Sequence, residues 1–145
     1  MAFPGGKRDP EDADLDATAL RETEEELGIP RSHLRLLGRL AAVPTATSLF
    51  TLNPIVAEVL PGVAPNPAAE EVAELISLPL EGFFLDRVPY QAVDLGRYRS
   101  PIFHFEAGAM YGATAHVMLE LLELYAAVCG LALPEPELTS RVPWQ

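Results

Sequence analysis

Cysteine is nearly absent from this chain of 145 residues: Cys129 is the one thiol, which excludes an internal disulfide and any cysteine-built zinc cluster. It lies in the apolar run 124–129 and is expected to be a small buried residue. Positive charge is scarce too. Ten Lys and Arg stand against 21 Asp and Glu, a net charge of −11. Nothing offsets phosphate repulsion overall, so nonspecific binding to nucleic acid or to an anionic membrane is not expected. The histidines are isolated, with no pair at zinc spacing, and His104 and His116 are read as core or surface residues. No P-loop, G-x-S-x-G, internal repeat, signal peptide or apolar run of membrane-spanning length is visible. An intracellular protein is the default expectation, cytoplasmic first, with mitochondrion and peroxisome left open.

What the chain does have is acid, and the acid is local. Asp9 to Asp16 holds five acidic residues, and Glu22, Glu24, Glu25 and Glu26 follow. On a helix of about 3.6 residues per turn, Glu22, Glu25 and Glu26 (i, i+3, i+4) share one face. Charge runs are usually solvated faces. Three carboxylates on one face also repel each other by a few tenths of a kcal/mol per pair unless a cation lies among them. A hard divalent ion with oxygen ligands, Mg²⁺ or Mn²⁺, removes that penalty. Such ions commonly bridge one or two carboxylates and substrate phosphates, which points to metal-assisted attack on a phosphate chain.

Gly5-Gly6 and Arg21-Glu22-Thr23-Glu24-Glu25-Glu26-Leu27-Gly28-Ile29 together resemble the Nudix box, G-x5-E-x7-R-E-U-x-E-E-x-G-U, where U is aliphatic or similar. Thr23 is a soft departure at the first U. Asp12 stands where the upstream Glu is expected, with one extra residue before Arg21. That insertion, Phe3-Pro4-Gly5-Gly6-x-x-Asp9-x-x-Asp12 and Thr18-Ala19-Leu20-Arg21-Glu22 look like the coenzyme A diphosphatase branch. The resemblance implies an α/β fold, a Nudix-type α/β/α sandwich around a mixed sheet. It implies hydrolysis of coenzyme A or an acyl-CoA to 3′,5′-ADP and 4′-phosphopantetheine. ADP-ribose, a dinucleoside polyphosphate, or a silent interaction module are the alternatives. The partner implied is a small nucleotide substrate; a homodimer is left open.

The ligand set implied is Glu22, Glu25, Glu26 and the Gly6 carbonyl. Arg21 pairs with Glu25 in the structural reading and touches phosphate in the catalytic one. Glu25, or a loop acid drawn from Glu70 and Glu71, is the candidate base. Asp12 either orders the loop, the favoured role, or stands in for the family's Glu. Tyr111-Gly112-Ala113-Thr114-Ala115 resembles a W-G-x-T-A element of the same branch, read as packing and capping.

The branch carries a strand and basic residues ahead of the Gly-Gly turn, whereas this chain enters the turn at once. A missing N-terminal strand is therefore expected, and with it a weak or inactive enzyme, less stable than an extended form. Residues 1–129 are expected to form the domain and 130–145 an extended, Pro-rich tail. Asp14 or Asp16 caps the first helix, Gly28 ends it, and Leu20 and Leu27 face the sheet. Strands are expected within Leu34–Val43 and Ser48–Leu60, near Leu75-Ile76 and over Pro101–Phe105. A short helix is expected in Pro79–Leu85, a polar connection over Asp86–Ser100, and a long helix from Met110 to Cys129 that buries Ala113, Val117, Leu121, Leu124 and Val128.

Overall fold

A computed structural model describes residues 1–45 and 49–143. In chain order the elements are α1 (Leu15–Leu27), a 3₁₀ turn (Arg31–His33), β1 (Leu34–Arg39), β2 (Val43–Pro44), β3 (Thr51–Leu52) and β4 (Ile55–Val59). Then come α2 (Glu81–Phe84), β5 (Tyr90–Asp94), β6 (Arg99–Phe105), β7 (Gly108–Met110), α3 (Gly112–Cys129) and β8 (Glu137–Thr139). The class is mixed α/β, as expected. The chain divides into two compact units. One comprises Phe3–Leu40 and Asn53–Ser77; the other comprises Met1–Ala2, Ala41–Leu52 and Leu78–Gln145.

The first unit holds α1 and the antiparallel pair β1–β4. Asp14 is the N-cap of α1: its Oδ1 accepts the Ala17 N–H at 2.8 Å and satisfies one donor that the helix leaves orphaned. Gly28 ends the helix in the left-handed region, φ 63°, donating its N–H to the Glu24 carbonyl. Leu20 and Leu27 are half-buried, and α1 packs against the 3₁₀ turn. The β1–β4 register slips between Leu36 and Gly38, leaving Leu37 as a bulge. Past the bulge, β1 continues through Gly38 and ends at Arg39. Pro54, which has no ladder donor, lies just before β4 and accepts the Leu40 N–H.

The second unit carries the hydrophobic core. Its four-stranded sheet runs β7-β6-β5-β8, antiparallel except for the parallel β5–β8 pair; β2 and β3 form a separate two-stranded pair. Phe83, Phe103, Met110, Ala115, Met118 and Leu122 pack as one cluster, and the Phe83 and Phe103 rings meet edge to face at 5.4 Å. Burying each large apolar side chain contributes roughly 1.5–3 kcal/mol.

Several expectations for these elements change. Asp86–Ser100 is not merely a connection: Tyr90–Asp94 is an interior strand, buried at Ala92 and Val93. No strand forms near Leu75-Ile76, which stays in a loop. The segment from Gly130, set apart as a tail, supplies β8, tied on by Gln91 donating to Glu137 at 3.0 Å. Ser48, at the start of one expected β segment, and Trp144 and Gln145 lie outside the described residues.

Helix α3 buries Ala115, Val117, Met118, Leu122 and Ala126, whereas Val128 is 87% exposed and Leu124 is also exposed. The stripe read from sequence was rotated because the helix is apolar nearly all round, so spacing alone does not choose a face. Cys129 is exposed at the helix end, correcting the expectation of burial. At 18 residues, α3 is also long and apolar enough to cross a membrane by length and composition, contrary to the reading of the sequence. One face is committed to the core, and Glu120 accepts the Ala41 N–H at 2.9 Å.

Candidate metal centre

Asp12 organises the loop ahead of α1. It is 8% exposed, and its carboxylate accepts from the Asp9 N–H at 3.0 Å, Thr18 Oγ1 at 2.9 Å, and Arg21 Nε and Nη2 at 3.1 and 3.0 Å. These hydrogen bonds, Arg21's first and the Asp9 N–H next, hold the Asp12 carboxyl well below the usual carboxylate range. A buried carboxylate without such partners would be costly. The loop-ordering role expected of Asp12 is the one its contacts describe.

Arg21 extends the network. Its Nη2 donates to the Lys7 carbonyl at 3.0 Å, and its Nη1 reaches Glu22 Oε1 and Glu25 Oε2, each at 2.9 Å. A guanidinium has five N–H donors. Nε and Nη2 serve Asp12 and Lys7, and Nη1 serves the two glutamates, so every donor group faces a protein acceptor. The Arg21 side chain is 14% exposed and carries the pairing role expected of it. No donor group is left idle for a phosphate in this arrangement, as the catalytic reading of Arg21 requires.

Glu26 has a different partner, the Gly-Gly turn. Its Oε2 accepts the Gly5 N–H at 3.3 Å. Burial pushes the Glu26 carboxyl up, against the pull of the Gly5 N–H, and the charges of Glu22, Glu71 and Glu25 push it further. A Cβ on Gly6 would overlap the Glu22 carboxylate, the far end of a long side chain, which would have to shift to admit it.

The C-terminal end of α1 fastens the loop that bears the remaining candidates. Asn66 N–H donates to the Leu27 carbonyl at 2.8 Å and Ala68 N–H to the Glu26 carbonyl at 2.9 Å. The next turn closes with Glu71 N–H on the Ala68 carbonyl. Glu70 and Glu71 are both exposed on this turn, and Glu71 acts on the charge of Glu26. A Cβ on Gly28 would come within 2.6 Å of the Asn66 carbonyl oxygen. Gly28→Ala is therefore expected to cost about 1–2 kcal/mol for the left-handed backbone alone and to push the 66–72 loop away. The measurement is hydrogen exchange: faster exchange at the Ala68 N–H is expected, and unchanged protection there would contradict the role given to Gly28.

Oxygen donors on one helix face, with a glycine making room beside one of them, fit a hard divalent ion by donor chemistry. They do not converge as they stand. Among the described residues no three Asp, Glu, His or Cys side chains gather as a metal cage, because Glu22 and Glu25 turn to Arg21 and Glu26 turns to Gly5.

Thr18 is the contributor that residue-level reading passed over. Its spacing from Arg21, Glu22 and Glu25 puts it on the same helix face, which is the signal that finds it. The Lys7 carbonyl leaves no trace in sequence. In the second unit, α3 starts at the N-cap Tyr111, whose side chain makes no capping bond. His104 Nε2 lies 2.9 Å from Gln91 Oε1 in the sheet.

The sequence pattern of the NUDIX domain matches residues 1–98. A protein of Yersinia enterocolitica named uncharacterized Nudix hydrolase NudL is 38% identical over 128 residues, covering 85% of this chain and 64% of that protein. Proteins of the same name from Yersinia pestis (strain Pestoides F) and Yersinia pseudotuberculosis are 38% identical, with 63% of their length covered. The chain thus spans slightly less than two thirds of these relatives. With the domain pattern matching over half its length or more, and the box residues in place around Arg21, the chain belongs to the NUDIX domain family.

Proposed function

We propose that this chain carries the hydrolytic centre of a metal-dependent Nudix hydrolase acting on a nucleoside diphosphate-linked substrate, with coenzyme A or an acyl-CoA as the preferred one. The observation that carries the reading is the helix face of Glu22, Glu25 and Glu26 with the Gly5-Gly6 turn against it: Glu26 accepts the Gly5 N–H, and the Glu22 carboxylate lies where a Cβ on Gly6 would be. The coenzyme A preference draws support from the first unit. Asp12 and Thr18, two positions of that branch's pattern, bond each other, and Asp12 in turn bonds Arg21.

Glu22, Glu25 and Glu26, with the Gly6 carbonyl, would hold Mg²⁺ or Mn²⁺. When bound, the ion neutralises charge on the diphosphate and lowers the pKa of a bound water. The protein's own part is to place these carboxylates, Glu22 and Glu25 through Arg21 and Glu26 through the Gly5 N–H. A carboxylate near the attacked phosphorus takes the proton of the attacking water. Of the two loop acids, Glu71 is favoured for that role because its charge acts on Glu26.

The test is a parallel assay of coenzyme A, an acyl-CoA, ADP-ribose and a dinucleoside polyphosphate with Mg²⁺ or Mn²⁺, with products identified by mass. Release of 3′,5′-ADP from coenzyme A at the highest kcat/KM is expected. A higher value for ADP-ribose or the dinucleoside polyphosphate would reassign the substrate. No turnover of any of them, in a folded chain, would favour a silent module.

A further inference from the structure

The described contacts give Arg21 two sets of partners of different character. Nε and Nη2 bond Asp12 and the Lys7 carbonyl, on the loop side, while Nη1 bonds Glu22 and Glu25, on the side of the expected ligands. Asp12 is nearly buried, whereas Glu25 is 54% exposed. The Asp12 bonds are therefore the most shielded from water and the Glu25 bond the least, with Glu22, at 15% exposure, between them.

We propose that Arg21 is the resident counter-cation of the metal-free centre, and that metal binding is an exchange in which Nη1 gives up Glu22 and Glu25 while Asp12 keeps the rest of the guanidinium in place. The inference rests on the reading of Glu22, Glu25 and Glu26 as ligands. It accounts for two observations together: the carboxylates do not converge, and two of them already hold a cation. A divalent ion entering beside Glu22 and Glu25 meets the positive charge of Arg21, so the two cations compete for the same oxygens. Asp12 decides which one moves. With its charge beside Nε and Nη2, the guanidinium remains paired after release and is not driven out of the fold. In this scheme Asp12 and Arg21 are positioning residues, and Arg21 lowers metal affinity while fixing the ligands' starting rotamers.

Two measurements test this without relying on turnover. The first is Mn²⁺ affinity by calorimetry and electron paramagnetic resonance, in the wild type and in Asp12→Asn/Arg21→Gln. That pair of changes removes both charges and leaves amides that can bond each other. Affinity about tenfold tighter is expected in the double variant, since a cation at contact distance is worth one or more factors of ten to a carboxylate. The second needs no variant: a Mg²⁺ titration of the wild type followed through the Arg21 side-chain resonances. The Nη1 signals should shift and exchange faster, while the Nε–H, held by Asp12, stays protected.

Equal or weaker Mn²⁺ affinity in the double variant would overturn the exchange, as would Nη1 signals that do not move at Mg²⁺ saturation. If the wild type binds Mn²⁺, and Glu26→Gln weakens that binding, but Arg21 is unmoved, this inference alone falls. If the wild type takes up no Mn²⁺ at all, the ligand assignment falls first and the exchange with it.

Discussion

Glu26→Gln should abolish metal-dependent hydrolysis, by about 10³-fold or more in kcat, while leaving the fold as stable as before or slightly more stable. The two halves of that expectation have different causes. In the proposed centre activity depends on a charged oxygen, and the amide removes the charge at constant shape. Stability depends on what Glu26 does in the fold, where its Oε2 accepts the Gly5 N–H, a bond the amide oxygen of Gln can keep. The charge itself is unfavourable there, since burial and then Glu22, Glu71 and Glu25 all push the carboxyl up. A residue that serves the fold gains nothing from that placement, whereas a ligand awaiting a cation does. The checks are steady-state hydrolysis with Mg²⁺ and Mn²⁺ beside thermal unfolding in metal-free buffer. Unchanged turnover would remove Glu26 from the centre. A large drop in unfolding temperature, with activity lost in proportion, would make Glu26 a structural residue.

The first unit was legible where the determinants are local. An N-cap at Asp14 or Asp16, the stop at Gly28 and the shared face of the three glutamates follow from spacing over a few residues, and the structure caps at Asp14 and stops at Gly28. The second unit was harder because its determinants are distant. The strand Tyr90–Asp94 lies between Pro89 and the Gly96 turn in a stretch rich in charge, and its identity comes from partners at Arg99–Phe105 and Glu137–Thr139. No window of sequence around it holds that information. The orientation of the carboxylates was likewise out of reach. Spacing fixes which helix face Glu22 and Glu25 occupy, but their rotamers are set by a guanidinium that Asp12, nine residues upstream of it, holds in place.

Asp12→Asn should lower the unfolding temperature at neutral pH by about 5–10 °C, the largest loss expected from one isosteric change in the first unit. The amide keeps the volume but loses the charge that Arg21 Nε and Nη2 bond, and it offers only one acceptor where the carboxylate oxygens serve Asp9, Thr18 and Arg21 together. Nothing replaces these partners, and Arg21 is too enclosed, at 14% exposure, for water to restore them fully. The pH dependence carries the same signature. The folded state holds the Asp12 carboxyl below its ordinary 3.8, so the unfolded chain takes up the proton first as pH falls. The stabilisation from Asp12 is therefore complete above about pH 5 and is lost progressively as pH drops through 4 and below. Asn resembles the protonated carboxyl, so the gap in unfolding temperature between wild type and variant should narrow between pH 5 and pH 2. Thermal unfolding across that range measures it. A gap that stays constant would show that the variant loses packing rather than charge, and would remove the ion pair from its place at the centre of this loop.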